Sequence, residues 1–427
     1  MSLAAPDLAS AAPRTKPLRV LHISASDNAG GSARATYRLH TGLKRLGADS
    51  RMLVGWRVTD DGTDIRLVGD HRLWMLDRLA GRLTERLSLQ YLWYPSSFAL
   101  PFRAWLRDAD VVQLSNLHGG YFSHTVLPRL SRGRPVVWRL DDMWAFTGHC
   151  AYDLGCGRWK TGCGSCPILS DYPALRHDRT ALLWRVKQRI YDRSSLTLVV
   201  PSRWMAGLVR ESPLLQRHPV HVIPYGLDTE VFRPIPQAAA RNVLGIDPAR
   251  RVVLFGAHFA SERRKGGEVL LDALARLPAQ VQQRLELLVI GRESEHIRGQ
   301  IPCPVRWLGA LKDDRLLATV YAAADVFVLP TLADNLPNTI LESMACGTPV
   351  VSFDVGGVAE AVRHRDTGYV ARAGDAADLA EGIRLLLDDD AMRQRLGRRS
   401  HEVAEQEYGL ELQARRFLAL YEGLVHA

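Results

Sequence analysis

Short β-branched runs ending in glycine-bearing loops, each giving way to a helical stretch, mark this chain as an α/β protein. Its 427 residues exceed what one ordinary core accommodates, so two domains are expected. An apolar content of 47% with 24% charged residues is that of a folded globular chain, which excludes a disordered or fibrous class.

The bulk chemistry narrows the partners. No apolar run is long enough to span a bilayer, and Met1 to Pro17, an Ala/Pro/Ser-rich tail with Asp7 inside it, lacks the core of a signal peptide. A cytoplasmic protein is therefore expected. The net charge of +9 comes mainly from arginine, without a Lys/Arg block dense enough for nucleic acid. Anionic small ligands and an anionic membrane surface are the partners that fit. Six cysteines in such a compartment point to metal or core roles rather than a disulfide framework.

In the first half, strands are expected at Leu18–Ser24, Ser50–Gly55, Asp110–Leu114, Pro135–Leu140, Leu196–Val200 and Val220–Ile223. The loop after the first strand holds Gly30 and Gly31, which would let a ligand approach the backbone closely; a plain tight turn explains the pair equally well, since a full dinucleotide fingerprint is absent. Between His71 and Trp105, seven aromatics alternate with Arg72, Arg78, Arg82, Arg86 and Arg103. Such amphipathic helices suit a membrane surface or a lipid-linked acceptor, or else their aromatic side packs on the sheet while the arginines are solvated. The loops after the third and fourth strands bring His118 and Asp142 to the same rim, with His149 beyond, as acceptor-side candidates; a structural histidine and a loop cap are the plain alternatives.

A Gly-rich loop over 141–167 carries Cys150, Cys156, Cys163 and Cys166. Four thiols in one short loop suit a structural zinc site without catalytic role, against reduced thiols or an oxidised pair. Asp108 and Asp110 sit at the start of a strand, the wrong sheet edge for a ligand.

The second half repeats the pattern, with strands at Val252–Ala257, Leu285–Gly291, Val305–Gly309, Ala324–Pro330 and Val350–Phe353. The stretch Ala333-Asp-Asn-Leu-Pro-Asn-Thr-Ile-Leu-Glu342 joins the last two through a short helix. In a parallel sheet its loop and helix start lie at the carboxyl edge, where the free N–H groups around Asn338 and Thr339, next to Pro337, would face a phosphate. Asp334 and Glu342 bracket the turn, where a carboxylate can chelate the two hydroxyls of a ribose; Thr339 and Glu342 also have the spacing of a ligand-free capping box.

An acid, seven residues, Glu342, then Ser-Met-Ala-Cys-Gly-Thr-Pro-Val-Val and Gly356-Gly357 resembles the donor signature of the family 4 retaining glycosyltransferases of the GT-B fold. The resemblance implies two Rossmann-like domains facing each other across a deep cleft and a C-terminal helix crossing back to the first. It implies a tail over 1–17, an acceptor domain over 18–224, a connector over 225–250, a donor domain over 251–404 and the helix over 405–427. Glu342 would bind the ribose of a UDP- or GDP-type sugar and Asp334, where the family more often has Glu, would lie against the sugar. Lys265-Gly266 matches the family's diphosphate-binding lysine; the arginine usual after the strand glycine is replaced by Ala257-His258, leaving Arg263 or Arg264 to supply the second cation. The Gly30-Gly31 loop would cover donor phosphate and acceptor. Gln113 and Ser115 stand at the family's His-x-His, leaving His118, and Asp141 replaces a histidine beside the matching Asp142.

Catalysis in such a family rests on positioning and charge stabilisation, with Asp334, Lys265, His118 and Asp142 carrying it here and no catalytic metal required. The implied reaction is transfer to a glycan or lipid-linked acceptor in bacterial surface polysaccharide synthesis, on the inner face of the membrane. A nucleotide-sugar epimerase, or a binding protein with weakened turnover, is the competing expectation.

Overall fold

A computed structural model describes residues 16–60, 62–69, 71–259, 263–292 and 299–426. The tail before Lys16 and Ser261-Glu262 of the basic loop lie outside the described residues. The chain divides into two compact units, the first running to Gly226 and resuming at Leu410, the second comprising Leu227–Gly409.

Seven strands form the sheet of the first unit: β1 (Arg19–Ser26), β2 (Asp49–Trp56), β3 (Ile65–Leu67), β4 (Val111–Ser115), β5 (Val136–Arg139), β6 (Thr197–Val200) and β7 (Val220–Val222). Their order is β3-β2-β1-β4-β5-β6-β7, all neighbours parallel, with Val20 opposite Ser50 on one side and Val111 on the other. The central strands β1 and β4 are buried from Val20 and Val111 onward because helices cover both faces of the sheet. The helix Gly31–Arg45 buries Leu39 and Leu43 against Phe417 and Tyr421 of the last helix, Leu410–His426. Tyr421 Oη donates to Gln113 Oε1 at 2.7 Å, so the glutamine at a family histidine position is engaged by the C-terminal helix.

Local rules account for the helix ends. Ser202 Oγ accepts from Met205 N at 3.1 Å and starts Arg203–Glu211. The helix Thr180–Tyr191 starts where Asp178 accepts from both the amide and the hydroxyl of Thr180. The strand β3 carries no distinct sequence signal in its three residues. Arg19 pairs with Asp110 at 2.7 Å, which occupies the acid at the amino edge.

The second unit has β8 (Arg251–Phe259), β9 (Leu285–Arg292), β10 (Val305–Gly309), β11 (Val326–Leu329), β12 (Val350–Phe353) and β13 (Gly368–Ala371), in the order β10-β9-β8-β11-β12-β13 and all parallel. Asp325 is buried beneath β11, where Arg241 Nη2 donates to it at 2.8 Å and Val252 N at 2.7 Å. In each unit the strand order reverses beside one strand, between β1 and β4 and between β8 and β11. Open α/β sheets bind ligands outside the carboxyl ends of strands at such points.

Candidate active site

At the reversal point of the second unit, two loops meet. The one after β8 ends in a single 3-10 turn, Arg263–Lys265, and Gly266. Gly266 has φ +71°, and a Cβ there would stand 1.8 Å from the carbonyl oxygen of Pro330, so only glycine allows this approach. Leu332 N donates to Arg264 O at 2.8 Å, fastening the basic turn to the loop after β11. On that second loop, Asp334 accepts from Lys265 Nζ at 2.6 Å and from Arg264 Nη1 at 3.2 Å on the same oxygen, Oδ2. Burial pushes the Asp334 carboxyl up, but Lys265 and Arg264 outweigh it, and the net effect holds it below the usual carboxylate range. Gly356, at φ +58°, lies so close that a Cβ would be 1.7 Å from Asp334 O. Arg263 is exposed, and among the described residues Arg264 is the arginine that meets Asp334.

The helix Asn338–Ala345 starts with Pro337 as its N-cap, so Thr339 lies inside the helix. The capping-box alternative is thereby removed, since Thr339 is not the cap residue. Glu342 is 1% exposed, and Tyr321 Oη donates to its Oε2 at 3.2 Å. A buried carboxylate held by a tyrosine is oriented rather than solvated. Tyr321, twenty-one residues earlier, carries no motif that would single it out.

On the first unit, Gly30 is the N-cap of Gly31–Arg45 with φ +85°. Ser32 Oγ donates to Asp141 Oδ2, and the fully buried Arg139 reaches Asp141 Oδ1 at 2.6 Å, Ser32 O at 2.9 Å and Thr36 Oγ1 at 2.9 Å. Tyr225 Oη also donates to Asp141 Oδ1, at 2.7 Å. The aspartate at a family histidine position is therefore committed to fixing the glycine loop.

His118 and Asp142 do come together: His118 Nε2 is 2.8 Å from Asp142 Oδ2. The other carboxylate oxygen accepts from Trp144 N at 2.9 Å, so the loop-cap alternative for Asp142 holds alongside the pairing. Tyr172 Oη lies 3.2 Å from His118 Nδ1, and the Trp144 ring 5.5 Å from the imidazole. Tyr172 and Trp144 were not singled out from the sequence; Tyr172 is 54 residues from His118 in a loop without motif. The loop carrying Asp142 is braced by buried Lys187, which donates to Trp144 O at 2.5 Å and Thr147 O at 3.1 Å.

His149 falls elsewhere. It is buried with Nδ1 2.9 Å from Pro173 O and Nε2 3.3 Å from Cys166 Sγ, and burial lowers its pKa. It lines a small cavity with the four loop cysteines rather than the His118–Asp142 pair. All four are free thiols, and burial pushes Cys150 up to about 12 and Cys163 to about 11. Among the described residues no group of three or more His, Cys, Asp or Glu side chains is placed to hold a metal ion. The zinc expectation therefore finds no ligand set, and hydrogen bonds order the loop instead, including Trp159 Nε1 to Asp153 Oδ2 at 2.8 Å and Gly148 N to Cys163 Sγ at 3.2 Å.

Two family models match the chain, "Glycosyltransferase Family 4" over residues 29–231 and "Glycosyl transferases group 1" over residues 250–389. An α-maltose-1-phosphate synthase of Mycobacterium tuberculosis is 31% identical over 255 residues, 55% of this chain and 65% of that protein, so the matched stretch spans less than two thirds of the relative. Among solved structures, a sucrose-phosphate synthase from Thermosynechococcus elongatus superposes with a TM-score of 0.69 at 22% identity, covering 96% of this chain and 99% of that one. Anabaena HepE in complex with UDP and glucose gives 0.67 at 18% identity, covering 95% and 100%. With a family model on each unit, the chain belongs to the family 4, group 1 glycosyltransferases, and the whole-chain structural likeness shows the fold, GT-B.

Proposed function

We propose that the protein transfers a sugar from a nucleotide-diphosphate sugar to a glycan or lipid-linked acceptor with retention of configuration. The observation that carries this reading is the convergence of Lys265 and Arg264 on one oxygen of Asp334 at the β8/β11 reversal point. Both cations are partly exposed and share a single carboxylate oxygen, so an incoming diphosphate would offer them a better-matched partner. The positive end of the helix Asn338–Ala345 would complete the anion site. Asp334, released from the cations, would turn to the sugar hydroxyls, and Glu342, held by Tyr321, would take the ribose. Gly30 and Gly31 would let a ligand lie against the start of their helix. The UDP in the HepE complex supports a donor of this class.

The leaving diphosphate oxygen would take the acceptor proton on the face it departs from, with no protein nucleophile, while Lys265 and Arg264 stabilise its growing charge. The His118–Asp142 pair would orient the acceptor hydroxyl. A lipid-linked acceptor in surface polysaccharide synthesis would place the work at the inner face of the membrane.

Thermal-shift titration with UDP-, GDP- and ADP-sugars tests the donor, because a ligand that binds only the folded state raises the melting point. Product analysis then separates transfer from isomerisation or binding alone. A chain stabilised by no sugar nucleotide, or one that returns only the epimerised donor, ends the proposal.

A further inference from the structure

The helix His71–Arg86 is apolar on the side that a soluble helix keeps polar. Ala80 and Thr84 face inward and are buried, while Met75, Leu76, Leu79, Leu83 and the following Leu87 are exposed. At 100° per residue these five fall within one third of a turn, next to the buried side that holds Ala80 and Thr84. Met75 and Leu79 are 69% and 66% exposed. The short helix Pro95–Ala99 packs on this helix, with Asp77 Oδ1 accepting from Ser96 N at 3.0 Å, and the segment continues the surface with exposed Trp93, Phe98 and Phe102. Exposed leucines one at a time are ordinary; a contiguous arc marks a contact surface. The aromatic-in alternative drawn from the sequence holds for Tyr91 and Tyr94, which are buried, and fails for Trp74, Trp93, Phe98 and Phe102.

Charge selects the occupant. Arg78, Arg82 and Arg86 are exposed beside the arc, and Glu85 is the exposed acid of the helix among the described residues. The Arg78 guanidinium lies 4.6 Å from the Trp74 ring centre, and that of Arg129 lies 5.3 Å from Phe102. Leucines between arginines, with tryptophan at the margin, match the boundary between acyl chains and anionic headgroups. A second copy of the chain would set like-charged rows against each other across a two-fold axis. The inner side of the same segment abuts the acceptor-side loop: the Tyr91 ring is 5.6 Å from that of Trp144, and Tyr94 Oη packs against Gly120, two residues after His118.

We propose that this face of the first unit seats on an anionic phospholipid surface, its leucine arc entering the acyl boundary and its arginines meeting lipid phosphates. The inference goes beyond the transfer reading and stands on the exposed arc alone. The test is sedimentation of the full chain, without sugar nucleotide, with phosphatidylglycerol-containing vesicles and with phosphatidylcholine vesicles. The wild type pellets with the anionic vesicles and is released as salt rises. Leu79→Glu with Leu83→Glu lowers vesicle affinity by roughly tenfold or more at an unchanged melting point, since two apolar anchors become anions. Arg78→Gln with Arg82→Gln lowers it less and flattens the salt dependence. Wild-type protein that stays in solution at low salt, or a double-glutamate variant that pellets equally well, overturns the proposal. So does a wild-type dimer that the double-glutamate variant converts to monomer, which assigns the arc to a second copy. Vesicle binding without any donor-induced stabilisation keeps this inference and removes the transfer reading.

Discussion

The two carboxyl-edge sites deal with charge in opposite ways. In the second unit, Lys265 and Arg264 keep 18% and 20% of their side chains exposed and lean on one carboxylate oxygen. In the first, Arg139 and Lys187 are at or below 1% exposure and spend their donors on Asp141 and on main-chain carbonyls. A partly exposed cation can be surrendered to an incoming anion at little cost, whereas moving a buried one strands its partners. The same sheet architecture thus leaves partly exposed cations on one unit, able to act as the proposed phosphate ligands, and buried bracing cations on the other.

Removing one of the partly exposed cations breaks the contrast most sharply. Lys265→Ala is expected to lower the turnover of donor sugar by about 10²–10³-fold, the usual effect of losing one preorganised charge stabiliser, with the fold retained. Steady-state kinetics with the matching melting curve checks it. An unchanged rate would make Lys265 as structural as Lys187.

Next in size is the backbone clamp. Gly356→Ala places a methyl where Asp334 O already stands, at a left-handed φ that alanine resists, and a loss of about 2–4 kcal/mol is expected. Urea unfolding reads the loss directly. A near-neutral substitution would mean that the Asp334 loop yields, and that its position owes little to the Gly-Gly motif.

The acceptor-side pair is probed by Asp142→Asn. The amide still accepts from Trp144 N but turns a donor toward His118 Nε2, reversing the ring's hydrogen bonding. About a hundredfold loss in rate with an altered pH profile is expected of a pair whose hydrogen bonding orients the acceptor hydroxyl. A purely structural cap would lose melting temperature and leave that profile unmoved.

How far each site could be read in advance follows from how locally it is written. Asp334, Pro337 and Glu342 fall in one contiguous stretch, and Lys265-Gly266 in another, so local pattern and the family resemblance it carries bring them forward. The His118–Asp142–Tyr172 arrangement joins loops from three parts of the chain, and nothing in one loop signals the others. His149 misled because proximity in sequence to Asp142 is not proximity in space; a sharp turn carries it into the cysteine cavity. The cysteine spacing likewise indicates the gathering of the thiols around one cavity but not a metal-holding arrangement among the described residues. For the segment from His71, period 3.6 gave the helix, but which side faced water depended on tertiary packing that periodicity cannot report.

The smallest effect concerns the first unit alone, where every histidine of lowered pKa among the described residues is found. Burial pushes His40 down to about 4, with Asp64 pulling up and Lys44 down, and burial together with Lys187 pushes His124 down to about 3. In the unfolded chain both titrate near 6.5. Above that pH neither state binds the proton; as pH falls from 6.5 toward 4 the unfolded state takes it up first, so stability is lost on acidification. Each such histidine contributes a slope of up to about 1.4 kcal/mol per pH unit in that window. Neither ring nitrogen of His124 has a hydrogen-bond partner among the described residues, and its ring stands edge-on to Trp144 at 5.6 Å, so phenylalanine is a fair replacement. His124→Phe should flatten the dependence between pH 6 and 5 by close to one proton, measured by urea unfolding at each pH, while leaving stability at pH 7.5 within about 1 kcal/mol. An unaltered slope would mean that His124 takes up its proton in the folded protein, and that the first unit admits charge where its packing forbids it.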